Sequence, residues 1–233
     1  MALLTVGNPK LLKGQKKGYL SSVLHLAPAD LSGKNTCPKA TAGCKAACLN
    51  TAGRGGIFKK GESTNVIQQA RIRKTKMFFE NRNTFMLDLV KEIQATIKKA
   101  EKQGLIPVFR LNGTSDLSWE KYEVISGKNI FQMFPEVQFY DYTKVLGRKV
   151  SHIPNYHLTF SKADGNDVDV RLAASNGMNI AAVFKELPEK YIGRPVINGD
   201  DTDLRFLDPK GVIVGLKAKG KAKKDTTGFV VGA

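Results

Sequence analysis

All three cysteines of the chain fall in one stretch, at Cys37, Cys44 and Cys48, spaced C-x6-C-x3-C in a loop with Gly43 and several alanines. Thiolates gathered this closely repel one another unless a cation neutralises them, and an odd count makes a poor disulfide framework. Three soft ligands in a small-residue loop suit a cuboidal iron–sulfur cluster, [4Fe-4S], whose fourth iron stays open. A closed zinc site needs a fourth protein ligand, which His25 could supply. The plainer reading, three structural cysteines with no metal, leaves their clustering in a polar loop unexplained.

A second group follows in Phe109-Arg110-Leu111-Asn112-Gly113-Thr114-Ser115-Asp116, an apolar run that passes directly into small and hydrogen-bonding residues. Asn112, Gly113, Ser115 and Asp116 are candidate ligand-binding residues: glycine lets backbone amides approach a ligand, and Asp116 can accept from an amine or hydroxyl. Thr114, Ser115 or Asp116 serve equally well as the cap of a helix starting near Trp119. Further runs end in the same way, at Tyr140 to Lys144, at Ser161, Lys162 and Asp164, and at Asn198 to Asp203. From these, Tyr142, Lys144, Lys162 and Asp200 join the candidates, the lysines for an anion and Asp200 for a cation or a ribose. Solvated lysines and a turn capped by its own side chains are the alternatives. His152 and His157 belong to no ligand spacing.

The elements that must position these residues alternate. Apolar runs at 19–27, 106–111, 137–142, 157–160, 180–184, 196–197 and 212–216 read as seven strands. Helical periodicity marks 63–79, a segment capped near Asn83 with Phe85, Leu89, Ile93 and Ile97 on one stripe before Gly104, and 167–176 with Val168, Leu172 and Ala173 on one face. Strand-then-connection units imply an α/β fold with a parallel sheet, and seven strands imply a partial or irregular (β/α) barrel, TIM-barrel-like but one unit short. The cysteine loop would follow the first strand, and all the candidate residues would meet at one mouth. One domain is expected, with its core at about 19–219 and extended ends, the basic tail after Lys217 among them.

The net charge of +16 attracts polyanions, so weak, non-specific nucleic-acid binding is expected; the basic residues are spread along the whole sequence. No run of about 18 apolar residues and no secretory signal is present, which points to a soluble, cytoplasmic protein without a membrane. Phosphate-loop, serine-hydrolase and zinc-protease motifs are missing.

At Cys37-Pro38 to Cys48, Arg110 to Asp116 and Tyr142-Thr143-Lys144, followed by Asn179 to Phe184 and Gly199 to Phe206, the chain resembles a phage family catalogued as gene product eighty-eight. That resemblance spans about 19–219 and implies a phage source and a metal-binding cysteine loop. The order of cysteine loop and Asn112 to Asp116 also resembles radical S-adenosylmethionine enzymes, whose usual spacing is C-x3-C-x2-C. It implies S-adenosylmethionine as a possible cofactor at the open iron. Three functional classes follow: a redox or radical enzyme with a small-molecule ligand at the mouth, an electron-transfer or sensing cluster protein, and a nucleic-acid-binding protein with structural metal.

Overall fold

The computed structural model describes residues 1–7 and 9–232. In chain order its strands and helices are β1 (Leu4–Thr5), α1 (Pro9–Gln15), β2 (Tyr19–Leu24), α2 (Ala42–Ala46), α3 (Val66–Glu80), α4 (Arg82–Lys102) and β3 (Ile106–Arg110). There follow β4 (Glu123–Ile125), β5 (Lys128–Asn129), α5 (Ile130–Met133), β6 (Gln138–Thr143), β7 (Tyr156–Ser161), α6 (Asp167–Ser175) and β8 (Ile180–Phe184). The chain ends through β9 (Lys190–Tyr191), β10 (Arg194–Asn198), β11 (Ile213–Lys217) and β12 (Val230–Val231). All seven expected strands form, and they lie parallel in the order β2-β3-β6-β7-β8-β11-β10 within a sheet of ten.

The sheet is open and not a closed barrel. Its path ends at β1 and β9, and among the described residues no ladder joins those edges. Part of the outer edge of each outermost parallel strand is paired, β2 by antiparallel β1 and β10 by antiparallel β9, and these short edge strands stand where a closing ladder would form. In addition β10 lies outside β11, which breaks the chain-order succession of a barrel.

One sheet face is covered by helices. Phe85, Met86, Leu89, Val90 and Ile93 of α4 pack against Leu24, Phe109 and Phe139, with Trp119 and Phe78 beside them. On α6 the buried face is Val170, Ala173 and Ala174, set against Phe160, Ile180 and Phe184. Val168 and Leu172, expected to face inward, are exposed. This helix is apolar on two faces, and the sheet's aromatic residues chose the one with the smaller side chains. The opposite sheet face, which carries Val108, Arg110, Tyr140 and Tyr142 by strand alternation, is covered near Leu204 and Phe206 by the 199–208 segment and by α1.

Both chain ends differ from expectation. The N-terminal segment forms β1 and α1 instead of an extended lead. The tail after Lys217 forms a 3-10 turn at Gly220–Lys224 and then β12, which pairs with the C-terminal half of β8. That pairing is open to it because β7 pairs β8 only at Phe160↔Ile180 and Ser161↔Ala181, leaving Val183 and Phe184 for another partner.

Candidate functional site

Beyond β2, Ala29 takes a left-handed backbone (φ 46°) and the chain leaves the sheet as the cysteine loop. Its first cysteine is held by the buried Thr36, whose hydroxyl donates to the Ala27 carbonyl at 2.6 Å while its own carbonyl accepts from the Asp116 amide at 2.8 Å. The Cys37 sulfur accepts from the Ala29 amide at 3.3 Å. Cys44 lies on α2, where Thr41 caps the helix start and Asp164, from the end of β7, accepts from the Thr41 hydroxyl and from the Gly43 and Cys44 amides, the latter two both at 3.1 Å. These bonds hold the Asp164 carboxyl below the usual carboxylate range in spite of its partial burial. Cys48 ends the loop against α3, with its sulfur accepting from the Asn50 amide at 3.5 Å. Arg71 of α3 donates to the Asn50 side chain, and Asn65 holds the next turn through the carbonyls of Arg54, Gly55 and Ile57.

The three thiols, all half-buried and free of disulfides, line a cavity of about 360 Å³ at the C-terminal ends of the strands. Asn112, Gly113, Ser115, Asp116, Tyr142, Lys144, Lys162 and Asp200 line the same cavity. Several of them, however, are occupied in building it. Asn112 accepts through Oδ1 from the Ser115 hydroxyl, the Leu117 amide and the Trp119 indole, so Asn112 and Ser115 shape the turn; the 3-10 turn at Trp119 starts after Ser118 with no side-chain cap, so the capping expected of Thr114, Ser115 or Asp116 does not form. Gly113 sits so close to β2 that a Cβ would meet Val23, Leu24 and His25 atoms at 2.7 Å, which makes close packing the reason for glycine here. Asp116 accepts from the Lys144 amide at 2.8 Å and faces Arg148 at 3.8 Å. Lys162 donates to the carbonyls of Ala163 and Gly228, tying the C-terminal segment to β7, and Asp200 pairs with Lys219 at 2.6 Å. Neither lysine-for-anion nor aspartate-for-cation binding is needed to account for Lys162 or Asp200.

Tyr142 and Lys144 differ in what they present to the cavity. The Tyr142 hydroxyl is buried without a hydrogen-bond partner among the described residues. Lys144 donates to Cys44; burial opposes its charge, but Cys44 and Asp116 outweigh that and raise its pKa. Burial pushes the Cys37 thiol up and takes Cys48 to about 11. His25, lowered to about 3 by burial and by Arg71 and Arg110, stays neutral at ordinary pH.

Sequence reading missed several contributors to this cavity, among them four from different parts of the fold. Arg110, singled out only as the start of its motif, stacks over the Tyr142 ring at 4.6 Å and pairs with Asp203 at 3.2 Å. Arg71 comes from a helix with no motif, and Ala222 and Phe229 from the tail expected to be extended. Strand alternation would have placed Arg110 on the face of Val108; nothing local marks the other three. His157 lies on the same sheet face, half-buried, while His152 is exposed. Among the described residues no three His, Cys, Asp or Glu side chains stand close enough to hold a single metal ion.

A family model described as Gene product 88 matches residues 2–232, nearly the whole chain. The chain belongs to the gene product 88 family. This is a phage family, and the match takes in α1 and the C-terminal segment, which the sequence motifs left outside. No curated protein and no solved structure matches the chain, so the likeness to radical S-adenosylmethionine enzymes finds no support there. No helix among the described residues is long and apolar enough to cross a membrane.

Proposed function

We propose that this gene product 88 protein holds a [4Fe-4S] cluster through Cys37, Cys44 and Cys48, beside a cavity that admits a small-molecule ligand. The observation that carries the reading is the convergence of all three thiols on one cavity with two cations beside them: Lys144 at Cys44, and Arg71 within electrostatic reach of Cys48. Burial disfavours a bare thiolate at Cys37 and Cys48, so these sulfurs need positive charge to ionise, and metal together with Lys144 and Arg71 supplies it. Ligands on one tetrahedral zinc stand about 3.8 Å apart, given a Zn–S bond of about 2.3 Å. Thiols that each take a separate iron corner need no such crowding, which favours a cluster over zinc with His25 as fourth ligand. A bound cluster supplies one-electron chemistry and, with three thiolates, a corner able to accept a ligand. Around it Lys144 offers an ammonium to orient that ligand, in the cytoplasm of the infected bacterial host.

The test is purification without oxygen, followed by iron, sulfide and zinc analysis and a visible spectrum. Brown protein carrying about four irons per chain is the expected outcome, and Cys44→Ala is expected to lose it. Colourless protein with one zinc per chain would overturn the proposal. Adding S-adenosylmethionine to the reduced protein and recording electron paramagnetic resonance separates the functional classes: a changed signal supports a radical enzyme, an unchanged one electron transfer or sensing.

A further inference from the structure

The basic residues look dispersed along the sequence, but the fold collects a large share of them at one end. The cysteine loop and its continuation, residues 28–61, carry Lys34, Lys39, Lys45, Arg54, Lys59 and Lys60 against the single acid Asp30. The C-terminal segment 217–229 adds Lys217, Lys219, Lys221, Lys223 and Lys224 against Asp225 alone. These two segments, more than 150 positions apart, lie against each other: Ala47 packs on Ala222 and Val230, and the short helical turns Leu49–Thr51 and Gly220–Lys224 are in contact. They hold +9 of the chain's net +16 in about one-fifth of its length, and all eleven cations are exposed, with Lys217 and Lys219 lining the cavity itself. Among them stand exposed apolar side chains, Leu49 (55%), Ile57 (69%) and Phe58 (38%).

We propose that the joined segments form a binding surface for single-stranded nucleic acid, with phosphates along the two cationic segments and bases against Phe58, Ile57 and Leu49. Within the 3-10 turn Gly220–Lys224, Lys221 and Lys224 stand three residues apart and share one face, a short row of cations that suits a ligand with repeated negative charge. An aromatic ring flanked by Arg54, Lys59 and Lys60 offers a stacking platform of the kind that unpaired bases occupy and duplex bases do not. The surface adjoins a cavity of about 360 Å³, within the range that encloses a small molecule or one nucleotide. An acidic protein partner would satisfy the charge but would give the exposed ring no flat partner. This inference stands apart from the metal bound at the cysteines, since it uses only residues that are not thiols.

The experiment measures fluorescence anisotropy of a labelled twelve-nucleotide single strand against the full-length protein, with a duplex of the same sequence in parallel. Binding that falls about 100-fold between 50 and 200 mM salt is expected, as for about five phosphates neutralised on a single strand. The variant Lys221→Glu, Lys223→Glu, Lys224→Glu should lose at least about tenfold. The matched variant Lys98→Glu, Lys99→Glu, Lys102→Glu changes the same charge at the end of α4, which precedes β3 and so lies at the opposite end of the strands; it should lose little. Phe58→Ala should lose about fivefold or more on the single strand and almost nothing on the duplex, with circular dichroism checking that each variant is folded. Equal losses from the two lysine variants would reduce the effect to net charge and overturn the proposal. So would tighter binding of the duplex, or binding of polyglutamate as strong as that of the strand, which would assign the surface to an acidic protein.

Discussion

With no metal bound, the Cys48 thiol is a weak acid held protonated by its surroundings. Burial is the main cause of its rise from 9.0 to about 11; the Asn50 amide works the other way, and the neighbouring thiols Cys44 and Cys37 push it up further. At neutral pH its thiolate fraction is then about one hundredth of that of an unperturbed thiol. Metal-free protein is therefore expected to react with iodoacetamide at Cys48 about 100-fold more slowly than a small-molecule thiol at pH 7, read by mass spectrometry of the modified peptide. The same acidity sets the pH dependence of metal uptake: the ligand proton must leave, so loading improves as pH rises from 6 towards 9 and fails as it falls. Fast labelling of Cys48 at pH 7, or loading indifferent to pH, would contradict this placement of the thiol. Asp164 contributes with the opposite sign. Its carboxyl is held low, so its grip on Thr41, Gly43 and Cys44 is fully present above the ordinary carboxylate range and is lost as pH falls through its lowered value.

Among the elements, the C-terminal segment is the one whose role its composition concealed. Its lysines and alanines resemble a solvated tail, yet Ala222 and Val230 are buried against Ala47, β12 pairs with β8, and the Gly228 carbonyl takes the Lys162 ammonium. Gly43 shows how closely it fits the cysteine loop: a Cβ there would meet the Thr227 hydroxyl at 2.0 Å and the Asp164 carboxylate at 2.6 Å. Ending the chain after Lys217 should cost about 3 kcal/mol, from the lost burial of Val230, Ala222 and Phe229. For a chain of this length that is a fall in Tm of about 6–12 °C, measurable by calorimetry. With the proposed cluster loaded, the truncated protein should also lose iron faster in air, since the thiols become open to water. An unchanged Tm would show that the segment merely rests on the surface.

Across the whole molecule the helix-covered core and the cysteine loop have divided roles. The core beneath α3 and α4 is apolar, with Phe78, Phe85, Phe109, Phe131, Phe139 and Trp119 fully buried, and needs no ligand to hold it. The cysteine loop is built differently: two of its helical elements are only a few residues long, and its order depends on capping side chains and on the C-terminal segment. Removing metal with a strong chelator should therefore loosen the molecule unevenly. Hydrogen exchange followed by mass spectrometry is expected to show lost protection at 36–58 and 218–232, with α4, β3 and β6 still protected. Uniform loss across the chain would mean that metal holds the entire fold.

The sequence alone determined the strands and the chemistry of their ends. Runs such as Ile180–Phe184 are apolar on both sides because a parallel sheet is covered on both faces, so they stand out from polar connections at short range. Cys37, Cys44 and Cys48, with Asn112 to Asp116, Tyr142 and Lys144, were recognisable as the lining of one cavity because the C-terminal ends of parallel strands all lie on one side. Only the tertiary structure decided which of those groups are already consumed. Asn112, Ser115, Lys162 and Asp200 bond to partners that are distant or hidden in turn geometry, and no local pattern encodes that. It likewise decided that the sheet stays open, since closure depends on which short edge strands, β1 and β9, pair first with the outer strands. The meeting of the two segments that carry eleven cations belongs to the same class: their contact is made in space, and sequence proximity carries no record of it.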